Sequence, residues 1–245
     1  MFRLFLLISL CAWGFHNQAI AQKKGKPKPF QYFSHFKTAK EINALENKMD
    51  KVFYMLCGQF RNGAQAANAS EPELKIKQEL MNFPIWKERR EYWYCSLWYM
   101  EGQPHKPLST DIIRLVKIDR DSILMQFYTL PEQADGNYGN EEWNQEKPFA
   151  NLKPKDLVPA PAGSRNVIIN KADGVFDVLS VTDPCYYPLS EQRQYMHYRL
   201  QLTANEIRDF TMYLDKDKKV VYEHKWPDGL LYQRLLKPTY YIKKK

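Results

Sequence analysis

The feature that most constrains this chain is a long succession of short alternating segments punctuated by tight turns. Roughly ten strand-like segments stand out: 74–79, 91–100, 111–118, 122–130, 165–170, 174–182, 195–202, 206–214, 219–226 and 229–236. Several are joined by hairpin signals. Asp119-Arg120-Asp121-Ser122 links Ile112–Ile118 to Ile123–Leu130, and Ala172-Asp173-Gly174 links Val167–Ile169 to Val175–Val181. Asp215-Lys216-Asp217-Lys218 separates the Phe210 strand from the Val220 strand, and Pro227-Asp228-Gly229 makes the last turn. Sequential hairpins give an antiparallel meander. A long meander leaves open edges unless it closes, so the expected architecture is an all-β antiparallel barrel of about ten strands.

One helix is predicted ahead of the strands. Thr38 and Glu41 form a T-x-x-E capping box, and Ile42, Leu45, Met49, Val52, Phe53 and Leu56 recur at three- and four-residue spacing. The pattern predicts a single helix over 38–57, closed by Gly58 at the C′ position, acting as a plug or brace against the sheet. The 131–164 stretch, rich in Gly, Pro, Asn and Glu, reads as a long loop or lid. Aromatic residues make up 14% of the chain, which suits pleated, half-buried surfaces and pocket walls.

The first residues carry a different signal. Arg3, the apolar run from Phe5 to Trp13 and Ala19-Ile20-Ala21 predict a secretory signal peptide over 1–21, a mature start at Gln22 and export to the periplasm or beyond the cell. The apolar run is shorter than the about 20 residues a spanning helix needs. Leu10 before Cys11 is too bulky for lipoprotein processing. No later stretch is long and apolar enough to span, so the chain is not expected to be an integral membrane protein.

The net charge of +8 resides in the tails. Without Arg3 and the eight lysines of 22–29 and 237–245, 27 basic residues face 28 acidic ones. The predicted organisation is a basic tail over 22–36, one domain over 37–236 and a second basic tail over 237–245. No basic groove for nucleic acid is expected in so balanced a core. Cys57, Cys95 and Cys185 allow one disulfide in an oxidising compartment, with the pairing open. There is no C-x-x-C, which excludes a thioredoxin-like pair and haem attachment. His35, His105, His197 and His224 lack metal-ligand spacing, so no metal is expected. The oligomeric state is open, a homodimer included.

The order of motifs resembles a known family. Cys57-Gly58-Gln59-Phe60-Arg61-Asn62-Gly63-Ala64-Gln65-Ala66 resembles the G-x-[FY]-x-N-x-x-Q-A segment of the T-type phycobiliprotein lyases, the CpcT/CpeT chromophore lyase family. Phe83-Pro84-Ile85-Trp86, the Pro107–Leu115 segment, Gly174-x-Phe176 with Asp183-x-Cys185, and Trp226-Pro227-Asp228-Gly229-Leu230-Leu231-Tyr232 follow in family order. The chain departs from the pattern at Leu108, Ser109 and Asp111, where the family has Tyr and two Arg, at Leu97, near the place of its Glu, and at Gly163-Ser164, where it has Gly-Cys. The resemblance implies a calycin- or lipocalin-like barrel that binds a bilin-type tetrapyrrole as substrate. It also implies delivery of that bilin to a cysteine of an acceptor protein, without a separate cofactor.

Such a ligand needs aromatic walls, cations for its propionates and a carboxylate for its pyrrole nitrogens. The candidates are therefore Asn62 and Gln65, at a barrel rim or in a polar turn; Trp86 and Trp98 (with Trp93), as pocket wall or core; and Arg114, as an inward propionate anchor or an outward solvated group. Asp183 is the candidate catalytic carboxylate or a turn residue, and Cys185 a buried thiol or disulfide half. Tyr195 and Arg199, with His197 between them, alternate on one strand face, with Tyr198 on the other. Two readings follow. One is a chromophore-lyase-like protein; the other is a non-catalytic exported barrel binding a tetrapyrrole or another hydrophobic ligand. A structural envelope domain with no small ligand would show a filled core.

Overall fold

The computed structural model describes residues 36–70, 72–86, 91–103, 107–130, 149, 152–160, 165–223 and 226–236. The predicted signal peptide, nearly all of the first basic tail, all of the second, most of the 131–164 stretch, and His35, His105 and His224 lie outside the described residues. In chain order the elements are α1 (Ala39–Asn43), α2 (Lys48–Leu56), β1 (Gly58–Arg61), α3 (Gly63–Ala67), β2 (Gln78–Ile85), β3 (Tyr92–Met100), β4 (Ser109–Lys117), β5 (Ser122–Thr129), β6 (Val158–Pro159), β7 (Arg165–Ala172), β8 (Val175–Ser180), β9 (Cys185–Ser190), β10 (Arg193–His197), β11 (Arg199–Leu202), β12 (Glu206–Asp209), β13 (Met212–Leu214), β14 (Val220–Glu223) and β15 (Leu230–Arg234).

Ten strands close into an antiparallel barrel, in the order β1-β2-β3-β4-β5-β7-β8-β11-β12-β15 and back to β1. The β4–β5 hairpin completes the ring, and β6 adds to β5 at its rim. The barrel is thus the predicted one, closed so that no long edge is left. Four short strands form a second sheet, β14-β13-β10-β9, outside it. The sequence pattern runs through this division. The predicted strand 195–202 is β10 and β11 in different sheets, and 206–214 is β12 and β13. At the second break Asp209 Oδ1 accepts the Thr211 N–H at 2.8 Å, a local bond that replaces the ladder where the chain leaves the barrel.

Three other expectations are corrected. The segment 74–79 starts in a 3-10 turn, Pro72–Lys75, and the strand begins only at Gln78, whose N–H donates to the Asn62 side-chain Oδ1 at 2.7 Å. The single helix is two. Thr38 and Glu41 do form the capping box on α1, but Asn47 caps α2, accepting from Asp50 N–H at 3.2 Å, and so competes with continuation from α1. Gly58 is not a left-handed helix terminator; Cys57 is extended (φ −82°, ψ 123°) and Gly58 opens β1. Its lack of a side chain serves close approach, since a Cβ there would lie 2.3 Å from Arg234 Nη1.

One face of each barrel strand supplies the interior. Phe60, Tyr94, Ile113, Met125, Ile168, Val178, Leu202, Ile207 and Tyr232 share one core with Ile42 of α1 and with Met49, Val52, Phe53 and Leu56 of α2. The helices therefore plug the barrel. Each buried apolar side chain of α2 contributes about 1.5–3 kcal/mol before ordering entropy, which is why nine residues hold a helix that would be marginal alone. Arg234 locks the plug. Its guanidinium donates to the carbonyls of Cys57 (2.7 Å), Tyr54 (3.0 Å) and Met55 (2.7 Å) at the end of α2 and to Ala204 O (2.7 Å), and it stacks on Phe60. Carbonyls that a helix end leaves orphaned are thus satisfied. At the other end of α2, Lys48 donates to Asp121 O at 2.6 Å. The helices occupy the barrel end that carries the 118–121, 172–174 and 203–205 turns, and the opposite end carries the second sheet.

Candidate functional site

The opposite end holds a cleft of about 670 Å³ between the barrel rim and the second sheet. The rim supplies Leu179 and Ser180 from β8, Arg199 at the start of β11, and Phe210 and Gly229 beside β12 and β15. The sheet side supplies His197, Met212 and Glu223, which face one another because His197 pairs with Met212 and Met212 with Glu223. Asp183, Tyr198 and Trp226 complete the wall. A predicted turn shapes one side. Gly229 has φ +80°, and a Cβ there would come within 2.9 Å of the Phe210 ring. Only glycine fits that position without displacing the cleft wall.

Two predicted site residues, Asp183 and Arg199, meet in this cleft. Asp183 Oδ1 lies 2.5 Å from His197 Nδ1, so the carboxylate orients the imidazole and favours a proton on Nδ1. Arg199 is exposed and lies over the Phe210 ring at 4.9 Å, with no ionic partner among the described residues. Tyr198, expected on the opposite face, lines the cleft as well, because the sheet switch at that residue breaks the alternation. Burial pushes its phenol well above the ordinary range, with the charges of Asp209 and Asp111 adding to the effect, so it stays a donor at neutral pH. Tyr195 is not in the cleft. It packs on Tyr186 at 5.6 Å, under Lys218.

The other candidates have structural duties. Asn62 is 3% exposed, donates to Ile76 O at 3.0 Å and accepts from Gln78 N–H. Gln65 donates to Gly229 O at 3.0 Å and accepts from Leu231 N–H at 2.9 Å, which fixes the backbone behind the cleft. Trp86 is on the outer wall, bonded to Phe149 O and edge-on to Trp93. There Phe149, Leu152 and Leu157 cover β2 and β3, which accounts for the described part of the predicted lid. Trp98 shares the inward parity of Tyr94 on β3 and lies beside Tyr232. Arg114 turns outward, a correction to its reading as an inward anchor. Ile113 and Leu115 take the inward parity on β4, which leaves Arg114 stacked on Trp93 at 5.2 Å and paired with Glu91 at 3.8 Å. It borders a second cleft, of about 590 Å³, at the helix end.

The three described cysteines are all buried and none forms a disulfide, so the allowed bridge is absent among the described residues. The Cys185 thiol donates to Met196 O at 3.2 Å, and burial raises its pKa, as it does more strongly for Cys95. None is a poised nucleophile. Among the described residues no group of three or more His, Cys, Asp or Glu is arranged to hold a metal, and no helix is long and apolar enough to cross a membrane. Sequence reasoning missed Phe210, Met212, Glu223 and Trp226 in the cleft. The available signals were Asp209, a turn former inside a strand pattern, and the Trp226-Pro227-Asp228-Gly229 turn.

No family model matches the sequence, and no curated protein matches it. Solved structures do match at the level of fold. The CRL protein of Arabidopsis superposes with a TM-score of 0.55 at 14% identity, over 81% of this chain and 100% of that one. The T-type phycobiliprotein lyase CpeT from Prochlorococcus phage P-HM1 gives a TM-score of 0.46 at 14% identity, over 77% of this chain and 98% of that one. The chain thus has a closed, lipocalin-like antiparallel barrel, similar in fold to the Arabidopsis CRL structure.

Proposed function

We propose that the protein binds a flat, carboxylate-bearing ligand of the tetrapyrrole class in the cleft at the open end of the barrel. The observation that carries this reading is the juxtaposition of Arg199, a cation with no ionic partner among the described residues, with the Asp183–His197 pair and the rings of Tyr198, Phe210 and Trp226 around about 670 Å³. That volume is in the range of small-molecule sites. The aromatic walls suit a conjugated plane, Arg199 suits a propionate, and Asp183 and Glu223 suit pyrrole N–H groups. The barrel interior is a different environment, because α1 and α2 fill its other end. Binding is therefore proposed at the mouth, and the motif resemblance to T-type lyases supports the ligand class.

A second reading, bilin delivery to a cysteine of an acceptor protein, is favoured by the His197–Asp183 pair. An imidazole oriented by a carboxylate can pass a proton to the tetrapyrrole and make it a better electrophile for an external thiol. The three described thiols, all buried, supply no nucleophile for the step.

An absorption titration with a linear tetrapyrrole tests binding. Wild type is expected to bind with a one-to-one spectral change at micromolar concentration, and Arg199→Ala to weaken it about 10–100-fold, the equivalent of a charge-assisted hydrogen bond. No spectral change with wild type would overturn the proposal.

A further inference from the structure

The chain enters and leaves the barrel at its plugged end. β15 runs away from the cleft. Its last residue, Arg234, donates to Tyr54 O at 3.0 Å and to Asn205 O at 2.8 Å, and Leu236 beyond it is 85% exposed. Lys37, the residue before the cap of α1, holds its ammonium over the Tyr54 ring at 4.9 Å. Tyr54 thus touches both points of departure, so the segments that precede Phe36 and follow Leu236 start from one end of the molecule, opposite the cleft. Their sequences share a composition. Residues 22–33 read Gln-Lys-Lys-Gly-Lys-Pro-Lys-Pro-Phe-Gln-Tyr-Phe, and residues 237–245 read Lys-Pro-Thr-Tyr-Tyr-Ile-Lys-Lys-Lys. Each has four lysines, no acid and no arginine, and each adds three large side chains, Phe30, Tyr32 and Phe33 in one and Tyr240, Tyr241 and Ile242 in the other. The folded part of this end has little net charge to add, since its cleft sets Lys117 and Arg120 against Glu91 and Asp119.

We infer that these two segments dock the plugged end of the barrel on an anionic lipid bilayer, with the cleft turned away from it. A lysine near an anionic leaflet strengthens binding roughly fivefold, an attraction that falls off within a screening length. Charge alone gives a weak, salt-sensitive hold, and stable peripheral attachment takes a second signal. The tyrosines and apolar side chains beside the lysines supply it, because amphipathic rings settle at headgroup level. Departure from one end lets both segments reach the same flat surface together, so the second binds at the effective concentration set by the first. The remainder of the chain, 27 basic residues against 28 acidic, neither adds to this attraction nor opposes it. A single-stranded nucleic acid also attracts lysines and stacks on rings. Phosphate recognition of that kind favours arginine, whose planar fork pairs bidentately, and neither segment has one; Ile242 offers no ring to stack on. Docking by the plugged end leaves the cleft open to solvent.

Sedimentation of the chain from Gln22 with lipid vesicles tests the inference. Wild type is expected to sediment with vesicles containing phosphatidylglycerol at low salt, to ignore vesicles of phosphatidylcholine alone, and to be released at about 1 M salt, where the screening length is about 3 Å. K23Q/K24Q/K26Q/K28Q and K237Q/K243Q/K244Q/K245Q should each weaken binding roughly tenfold or more, and the two sets combined should abolish it. Y240S/Y241S/I242S keeps every charge and should still weaken binding severalfold. Circular dichroism should be the same throughout, because no substituted residue belongs to the barrel. A wild type that ignores phosphatidylglycerol, or binds both vesicles alike, would overturn the inference. So would binding that survives loss of all eight lysines, a loss traced to one segment with none from the other, or a Y240S/Y241S/I242S variant that binds like wild type. A wild type that prefers a single-stranded oligonucleotide to the vesicles at equal salt would overturn it as well.

Discussion

Replacing Arg234 by alanine should be among the most damaging changes to the barrel, and its cost should depend on Gly58. The guanidinium makes four hydrogen bonds to backbone carbonyls, three of them from the end of α2 and one from the β11–β12 turn. Burial pushes its pKa down to about 10, so it is charged at neutral pH and the four bonds are charge-assisted. Such bonds are worth about 1.5–3 kcal/mol each, but the desolvation of the cation offsets a large part. Breaking a comparable buried ionic cluster by removing one member costs about 3–5 kcal/mol, and Arg234→Ala should fall at the lower end because water can reach some of the carbonyls. Gly58→Ala places a Cβ 2.3 Å from Arg234 Nη1 and 3.2 Å from the Phe60 ring, an overpacking worth about 1–3 kcal/mol. With Arg234 already removed, most of that clash disappears. Urea unfolding of wild type, both single variants and the double variant should therefore show a coupling of about 1–2 kcal/mol, far above the scatter for independent sites. A loss under about 1 kcal/mol for Arg234→Ala, the level of an ordinary surface change, would refute the assignment of Arg234 as the lock on the plug. Additive single variants would refute the close-approach reason for Gly58.

Asp111 projects inward from β4, and burial raises its carboxyl to about 6 from an ordinary 3.8, only partly offset by a hydrogen bond from Ser109. A carboxyl whose folded pKa exceeds its unfolded one binds more protons when folded, so its contribution to stability falls as pH rises from about 4 through 6. Asp111→Asn should consequently stabilise the protein by about 1–3 kcal/mol at pH 7.5 and by little at pH 4; equal effects at both pH values, measured by urea unfolding, would contradict this. The three buried thiols should react with a thiol reagent only on unfolding, and reductant should leave the melting temperature unchanged. A drop in melting temperature on reduction would indicate a disulfide.

The barrel was legible because hairpin turns and two-residue alternation are local signals, and closure follows from the need to bury edges. Thr38 with Glu41 announced α1, while Asn47 was hidden inside an apolar periodicity that spans both helices. The second sheet was not legible. A strand that changes sheets at Tyr198 keeps its alternation in sequence while its two halves face different neighbours, so the pattern placed Tyr195 with His197 and Arg199 and set Tyr198 apart. The structure does the reverse. Arg114 shows the limit of parity arguments. Alternation fixes that Arg114 opposes Ile113 and Leu115, but which face is interior depends on the whole ring of strands. Asp183 and Arg199 are 16 positions apart in sequence, and only the excursion through β9 and β10 brings them to one cleft.

Hydrogen exchange with and without a saturating linear tetrapyrrole locates the ligand directly. Binding at the mouth predicts added protection in 179–183, 197–199, 210–212 and 226–229, with 47–49 and 114–120 at the helix end unchanged. Protection confined to the helix-end segments, or none at all while the ligand is bound, would contradict the account.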